Sequence, residues 1–102
     1  MKVSVVRGGG VAGIATRTEL SASALPDKDA RTFRELVRDA ALKEHHGSSG
    51  RTGPDRTLYE VALDDGETVV RSRFSDDDIP DGVRRLVEWI DRRPERSRSR
   101  ER

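Results

Sequence analysis

The sequence contains no cysteine, and this absence excludes several kinds of site. Without thiols the chain cannot form a disulfide framework, a thiolate zinc site or a cysteine nucleophile. It also has no apolar run near the roughly 18 residues that a membrane-spanning helix requires. The first residues, MKVSVVRGGG, contain only a short apolar stretch and no small-residue cleavage site after it, so we expect no secretory signal. We therefore expect a cytoplasmic protein with no membrane partner.

Apolar and aromatic residues are also scarce. Hydrophobic residues make up 32% of the 102 residues, charged residues make up 38%, and aromatic residues only 4%. The length fits one domain, and the composition fits a small hydrophobic core. Because so small a core leaves no room to enclose a deep catalytic cavity, we expect a domain that works through its surface.

The near-zero net charge of +1 conceals an uneven distribution. The segment from Arg92 to Arg102 contains six arginines and two glutamates, a net charge of +4, so the other 91 residues carry −3. This segment has no apolar residue except Pro94, and it cannot bury surface to offset the entropy cost of ordering. We therefore expect one folded domain over residues 1–91 and a disordered, Arg-rich tail over residues 92–102.

Two roles are open to this tail. Its positive charge could bind nucleic acid or another polyanion, or it could be a solvated end that improves solubility. Arginine outnumbers lysine 17 to 3 over the whole chain, so the arginine bias is not specific to the tail. This favours the solubilising role and makes a nucleic-acid partner the weaker alternative.

Two runs of alternating residues flank a cluster of glycines near the N-terminus. Val3 and Val5 share one face of the first run. The residues that share one face of the second run are Ile14, Thr16, Thr18 and Leu20. Alternation of this kind is typical of strands, and the glycines permit the positive φ angles of a tight turn. The pattern predicts an antiparallel hairpin that turns between Arg7 and Gly13.

Two later segments have the three-and-four spacing of amphipathic helices. The first begins at Leu25-Pro26-Asp27 and is expected to end between Lys43 and His46. Its apolar stripe consists of Ala30, Phe33, Leu36, Val37, Ala40 and Ala41. The second spans roughly Pro80 to Arg92, and the carboxylates of Asp76 to Asp78 are expected to cap it. Its apolar stripe consists of Val83, Leu86, Val87 and Ile90.

Between the helices, a loop over Gly47 to Pro54 leads into a second pair of strands joined at Asp64-Asp65-Gly66. The residues expected to face the core are Tyr59, Val61, Leu63, Val70 and Phe74. The order β-β-α-β-β-α predicts an α+β fold with a four-stranded, mainly antiparallel sheet and two amphipathic helices packed on one face. The residues expected on the outward face are Arg17, Glu19, Arg71 and Arg73.

Three motifs invite a chemical interpretation, but none has the context that its chemistry needs. Gly8 to Gly13 matches G-x-G-x-x-G, yet a strand pattern follows where a dinucleotide-binding fold needs a helix. His45 and His46 are adjacent, so on a helix their side chains diverge and rarely bind one ion. Asp76 to Asp78 lack the glycine and the distal bidentate acid of a calcium loop. We therefore expect no metal, no cofactor and no catalytic site, which favours a binding module over an enzyme.

Four pieces of the chain together resemble the emfourin family. They are the hairpin opening V-x-V-V-R-G-G-G-V-A-G-I, the Asp-x-x-x-x-x-Phe-x-x-Leu-Val helix, the Asp55-Arg56-x-x-Tyr59 strand entry, and the short final helix with leucine and tryptophan. The resemblance covers about residues 2–91, and its strongest pieces are Arg7 to Ile14 and Asp55 to Tyr59. Emfourins are small intracellular bacterial inhibitors of protealysin-like metalloproteases, within the thermolysin group. The resemblance therefore implies a four-stranded sheet with two helices and a protein inhibitor without enzymatic activity.

The resemblance also implies a thermolysin-like metalloprotease as the partner. Such proteases cut beside bulky apolar side chains in a zinc-containing cleft, so an inhibitor must fill that cleft with a rigid, poorly cleaved segment. The first-choice segment consists of Gly8, Gly9, Gly10, Val11, Ala12 and Gly13, with Val11 as an apolar anchor. The second choice is the loop that contains Gly50 and Arg51. The alternative for the glycines is a purely structural tight turn or bulge. We expect the inhibitor to be a monomer.

Overall fold

The computed structural model describes residues 1–9, 15–42 and 57–101. Within these ranges the strands are β1 (Lys2–Gly9), β2 (Ala15–Ser21), β3 (Thr57–Asp64), β4 (Val69–Ser75) and β5 (Ser97–Glu101). The α-helices are α1 (Asp27–Ala40) and α2 (Asp81–Asp91), and a short 3-10 helix, Ala22–Ala24, precedes α1.

The strands form one antiparallel sheet with the order β4-β3-β1-β2-β5. β1 lies at its centre, where Val5 pairs with Thr18 of β2 and with Val61 of β3. The α+β fold, with two helices and an antiparallel sheet, is confirmed. The predicted number of strands is wrong, because the described residues form five strands and not four.

The additional strand is β5, which lies in the Arg-rich segment whose composition predicts disorder. It pairs with the outer edge of β2, from Glu19 opposite Ser97 to Ala15 opposite Glu101. An edge strand satisfies its backbone groups by pairing with its neighbour and needs no apolar side chains of its own. An argument based on side-chain burial therefore could not anticipate this strand.

The hydrophobic core lies between one face of the sheet and the two helices. The sheet contributes Val3, Val5, Leu20, Val61, Leu63 and Phe74. The helices contribute Ala30, Phe33, Val37 and Ala40 from α1 and Val83, Leu86, Val87 and Ile90 from α2. Leu36, Tyr59 and Trp89 pack against this core and are partly buried. The alternation of the strands and the stripes of the helices therefore predicted most of the buried residues. Further exceptions are Val70, which is only partly buried, and Ala41, which is partly buried and lies just beyond the end of α1.

The two helices pack against each other in antiparallel directions. At Gly82, in the first turn of α2, an added Cβ would lie 2.6 Å from the carbonyl oxygen of Asp39, in the last turn of α1. Toward the other end of α2, the rings of Phe33 and Trp89 stack with their centroids 5.7 Å apart. Because Gly82 has no side chain, it allows the two helix backbones to approach this closely.

The first helix ends earlier than predicted. α1 stops at Ala40, and not between Lys43 and His46, because Ala41 adopts the left-handed conformation with a φ of 49°. This reversal places Leu42 in the core with only 2% of its surface exposed. The carbonyl oxygen of Leu42 accepts a 3.1 Å hydrogen bond from Ser72 Oγ of β4. The end of α1 at Ala40 therefore allows one more leucine side chain to be buried in the core.

The acidic residues before α2 also differ from their predicted role. The residue at the N-cap position is Pro80, which makes no side-chain capping hydrogen bond. Asp78 turns back toward the sheet, and its Oδ1 accepts a 2.8 Å hydrogen bond from the backbone N–H of Ser75. The predicted capping of α2 by Asp76 to Asp78 is therefore wrong, and Asp78 stabilises the turn that follows β4.

Candidate functional site

The glycine cluster lies where the central strand meets its neighbour. β1 ends with Gly8 and Gly9, and Gly8 pairs with Ala15 at the start of β2. The predicted antiparallel pairing of these two runs is therefore confirmed. The remaining first-choice residues, Gly10, Val11, Ala12 and Gly13, lie outside the described residues. We use "glycine turn" as the name of residues 8–13, which begin with the last two residues of β1 and precede β2 in the sequence.

The element after the glycine turn tests the nucleotide-binding interpretation of the G-x-G-x-x-G match. A dinucleotide-binding fold needs a helix there, because the helix N-terminus receives the pyrophosphate. The structure has a strand, Ala15–Ser21, paired antiparallel to β1. The strand–turn–helix context of nucleotide binding is thus not met.

The strand that follows the second-choice loop begins beside the end of β1. Gly50 and Arg51, together with His45 and His46, lie outside the described residues. The loop's exit is described, however, because β3 begins at Thr57, which pairs with Gly9. The next pair is Leu58 with Gly8. The pairing of β1 with β3 therefore brings the exit of one candidate segment next to the start of the other, at one end of the sheet.

Arg7 is the polar side chain closest in sequence to the glycine turn, and it is held from two sides. Its guanidinium carbon lies 5.2 Å from the centre of the Tyr59 ring, directly across the β1–β3 pair. Its Nη2 donates a 2.8 Å hydrogen bond to Asp91 Oδ2 at the end of α2. A cation there also interacts favourably with the negative end of the helix dipole. These contacts tie the end of the central strand to a neighbouring strand and to a helix.

No sequence pattern predicts the cluster of Arg7, Tyr59 and Asp91. Arg7 and Asp91 are 84 positions apart, so no local pattern connects them. The one available signal was that Arg7 and Tyr59 belong to the two segments with the strongest family resemblance. The structure shows that these two segments touch.

A second arginine reaches the same carboxylate from β5. Arg98 pairs with Thr18 of β2, and its Nη2 donates a 3.2 Å hydrogen bond to Asp91 Oδ1. A small groove lies between these groups, lined by Val5, Arg7, Thr16, Thr18 and Arg98. Asp91 therefore balances only one of the two guanidinium charges beside this groove.

The start of the C-terminal segment is fixed by Arg93. Its guanidinium lies over the Trp89 ring at 5.2 Å, and it donates hydrogen bonds to Asp29 at 2.9 Å and to Glu95 at 3.0 Å. The hydrogen bond with Glu95 raises the pKa of Arg93, and the same bond lowers the pKa of Glu95. Arg96 closes the turn by donating a 2.7 Å hydrogen bond to the carbonyl oxygen of Arg93. The chain thus enters β5 from an anchored turn.

The outward face of the sheet carries charges of both signs. Lys2 Nζ lies 3.2 Å from Glu19 Oε2, which also accepts a hydrogen bond from Ser4 Oγ. The hydrogen bond from Lys2 is the main cause that lowers the pKa of Glu19. On β4, Arg73 donates a 3.0 Å hydrogen bond to Glu60. We interpret this face as a solvated surface whose charges pair locally.

The described part of the chain contains neither a metal-binding cluster nor a membrane-spanning helix. Across residues 1–9, 15–42 and 57–101, no group of three or more histidine, aspartate or glutamate side chains is arranged to hold a metal ion. In the same part of the chain, no helix has the length and apolar character needed to cross a bilayer.

The model of the emfourin family matches residues 5–91 of this chain. The match runs from the middle of β1 to the last residue of α2, so it includes the glycine turn and the second loop and stops before β5. Searches of curated proteins and of solved structures found no match.

Proposed function

Because the chain belongs to the emfourin family, we propose that it is a proteinaceous inhibitor of a thermolysin-like or protealysin-like zinc metalloprotease. The family match over residues 5–91 is the observation that carries this proposal. The inhibitor acts by occluding the active-site cleft of the protease with a surface segment. This role requires a complementary surface and no catalytic residue in the inhibitor itself.

The position of the glycine turn supports its role as the inserted segment. β1 is the central strand of the sheet, paired on one side with β2 and on the other with β3. A segment between two strands of such a sheet starts from fixed ends, so it loses less conformational entropy on binding than a free loop would. The glycines let the backbone approach the walls of a cleft closely, and Val11 supplies the apolar side chain for the specificity pocket.

The contacts below the turn support the same role. The Tyr59 ring and the Asp91 carboxylate hold Arg7, which is only two residues from Gly9. The side chain of Arg7 remains 40% exposed, so its charge keeps contact with water, although its Nε is buried without a hydrogen-bond partner among the described residues. The end of β1, where the glycine turn begins, is thereby held in place.

The loop that contains Gly50 and Arg51 is the proposed site of a second contact with the protease. Its exit at Thr57 lies beside Gly9, so a protease seated on the glycine turn also approaches the loop that contains Gly50 and Arg51. We propose that residues 8–13 enter the cleft and that the Gly50–Arg51 region touches its rim. Partner contacts of this kind use two adjacent loops on a rigid scaffold.

The test is a titration of the purified protein into a protealysin-like metalloprotease, with hydrolysis of a peptide substrate as the readout. The wild-type protein is expected to abolish hydrolysis at micromolar concentration. Val11→Asp is expected to weaken inhibition by at least about tenfold, because a carboxylate in an apolar pocket loses its hydration without compensation.

The matched control for this variant is Val69→Asp. Val69 is 52% exposed on β4, at the end of the sheet opposite to the glycine turn. The Val69→Asp variant introduces the same charge at an exposed valine, and it should inhibit the protease as strongly as the wild type does. Undiminished inhibition by Val11→Asp would rule out the proposed contact, whereas no inhibition by the wild type would rule out the function.

The alternative function is binding of nucleic acid or another polyanion through the Arg-rich C-terminal segment. Its distinguishing property is salt-sensitive binding to DNA or RNA without effect on a protease. Deletion of residues 93–102 would not separate the two functions, because it would also remove β5, a strand of the sheet whose last residue lies opposite Ala15. Direct titration with a DNA duplex separates them, and the proposed inhibitor should bind it only weakly.

A further inference from the structure

We propose that β5 covers the edge of β2 against a second copy of this chain, and that opening of β5 allows two copies to pair through their β2 strands. β5 lies beyond the family match, which ends at residue 91. The proposal does not depend on the proposed function, because it concerns how the free protein stays monomeric.

β5 covers most of the outer edge of β2. The strand Ser97–Glu101 pairs antiparallel with the residues from Glu19 back to Ala15, while β1 occupies the other edge of β2. Since the order of the sheet is β4-β3-β1-β2-β5, loss of β5 would leave β2 at an edge with unpaired N–H and C=O groups. Such an edge is a template for pairing with another chain.

The side chains of β5 contribute little to holding it in place. Ser97, Arg98 and Ser99 are exposed, and the sequence SRSRE contains no apolar residue that could pack on the core. The ion pair of Arg98 with Asp91 joins side chains that are 46% and 26% exposed, and ion pairs of this kind add little stability. β5 is therefore held mainly by its backbone pairing with β2, and it opens at a lower free-energy cost than the core strands.

The sequence of β2 is complementary to itself. When two β2 strands pair antiparallel about a two-fold axis at Thr18, Arg17 of one copy stands opposite Glu19 of the other, because both are one residue from the axis. The two-fold axis repeats this contact on the other side of Thr18. Opposite charges directly across an antiparallel pair stabilise it, so the charges of β2 favour a second copy as its partner.

The carboxylate of Glu19 can accept this additional partner. The hydrogen bond from Ser4 and the ion pair with Lys2 both use Oε2, and an ionised carboxylate accepts hydrogen bonds through two oxygens. In the folded chain, β5 places a serine opposite each of the two charged residues of β2. β5 therefore covers the backbone of β2 without using the complementary charges that a second copy would use.

The edges that stay uncovered in the folded chain carry charges that oppose such pairing. In β4, a two-fold axis at Ser72 would place Arg71 of one copy opposite Arg73 of the other, and both residues are exposed. In β5, an axis at Ser99 would place arginine positions opposite each other, because the sequence is SRSRE. Like charges directly opposite each other destabilise a strand pair. Of these three strands, only β2 has charges that favour pairing with its own copy.

The experiment opens β5 in the full-length chain. Arg98→Pro/Ser99→Pro is the test variant, because adjacent residues of an edge strand point their N–H groups to opposite sides, so one of the two prolines removes a donor to β2. Arg98→Ala/Ser99→Ala is the matched control, since it removes the same side chains and keeps both backbone donors. Sedimentation velocity measures the association of each protein from micromolar to millimolar concentration.

The proline variant is expected to form dimers, whereas the wild type and the alanine variant should remain monomeric. The charge pairs are then tested within the proline variant. Adding Arg17→Glu should raise the dissociation constant of the dimer at least about tenfold, because two attractive pairs become repulsive. Adding Glu19→Arg should do the same. An equimolar mixture of these two charge variants should dimerise again, since every charge pair across the two β2 strands is then of opposite sign.

Hydrogen exchange of the wild-type protein tests the opening of β5 without any substitution. The amides of β5 should exchange through local opening, and therefore faster than the paired amides of the central strand β1. Equal protection of the two strands would overturn the proposal.

Four other results would also overturn it. They are a monomeric proline variant, a wild type or alanine variant that dimerises as the proline variant does, a dimer that is insensitive to Arg17→Glu, and a mixture of the charge variants that stays monomeric. Circular dichroism follows the fold of each variant. Loss of the sheet signal in the proline variant would likewise contradict the proposal, because β5 would then be required for folding and could not open by itself.

Discussion

Arg7 and Tyr59 face each other across the β1–β3 pair, with the guanidinium carbon 5.2 Å from the centre of the ring. Both residues belong to the segments that most resemble the emfourin family, and those segments are far apart in the sequence. The pair lies next to the glycine turn and is joined to α2 through Asp91. It therefore connects the proposed inhibitory segment to the folded core.

Asp91→Asn is expected to destabilise the protein modestly. The carboxylate binds Arg7 at 2.8 Å and Arg98 at 3.2 Å, but all three side chains are partly exposed, so we expect a loss of about 1 kcal/mol or less. Urea unfolding measures the change. Asp39→Asn is the matched control, because the pair of Asp39 with Arg38 is 3.9 Å long and well exposed. An equal loss in both variants would contradict a bridging role for Asp91.

Gly82→Ala is expected to destabilise the protein although alanine is the better helix former. Propensity alone would favour alanine by up to about 1 kcal/mol. The added Cβ would lie 2.6 Å from the carbonyl oxygen of Asp39, and the resulting strain should reverse the sign and cost about 1–3 kcal/mol. Thermal unfolding tests the sign. Glu88→Ala, on the exposed face of α2, should change stability little, and a stabilised Gly82→Ala would refute the close helix contact.

Ala41→Gly is expected to stabilise the protein. Ala41 has a φ of 49°, a conformation that costs an L-residue with a side chain about 1–2 kcal/mol. Glycine removes this strain but loses more backbone entropy on folding, so the net gain should be below about 1 kcal/mol. Ala40→Gly, one position earlier in the helix and fully buried, should be destabilising. Opposite signs for these neighbouring alanines would show that α1 ends where the structure places its end.

The ion pair of Glu19 with Lys2 predicts a pH dependence of stability. Its hydrogen bond lowers the pKa of Glu19 below 4.5, the ordinary value that applies to the unfolded chain. The folded protein therefore favours the ionised form, and this stabilisation is present above pH 4.5 and lost as the pH falls through the folded pKa. Urea unfolding should show wild type more stable than Glu19→Gln at pH 7, with the difference disappearing in acid. A stability difference that grows as the pH falls would contradict a lowered pKa of Glu19 in the folded protein.

Local sequence patterns were enough to predict much of the fold. The alternation of Val3, Val5, Val61 and Leu63 and the helical spacing of Phe33, Val37, Leu86 and Ile90 identified the buried faces, because these patterns reflect contacts with one core. The antiparallel pairing around the glycines followed from two alternating runs with a turn between them.

Other features had no local signal. The position of β5 depends on pairing with the edge of β2. It also depends on ion pairs of Arg93 with Asp29 of α1 and of Arg98 with Asp91 of α2, which composition does not reveal. The end of α1 depends on burial of Leu42, and no glycine marks the reversal at Ala41. At the candidate site, the glycine turn is recognisable as a sequence motif. The contacts of Arg7 with Tyr59 and Asp91 are not, because these residues are far apart in the sequence.

The central claim is that the glycine turn occupies the active-site cleft. The most direct test measures whether the protein competes with a small hydroxamate that chelates the zinc of a protealysin-like metalloprotease. The account predicts mutually exclusive binding, so the apparent inhibition constant of the protein should rise in proportion to the hydroxamate concentration. An apparent inhibition constant that does not change with hydroxamate would show that both bind together, and would contradict the proposed occlusion of the cleft.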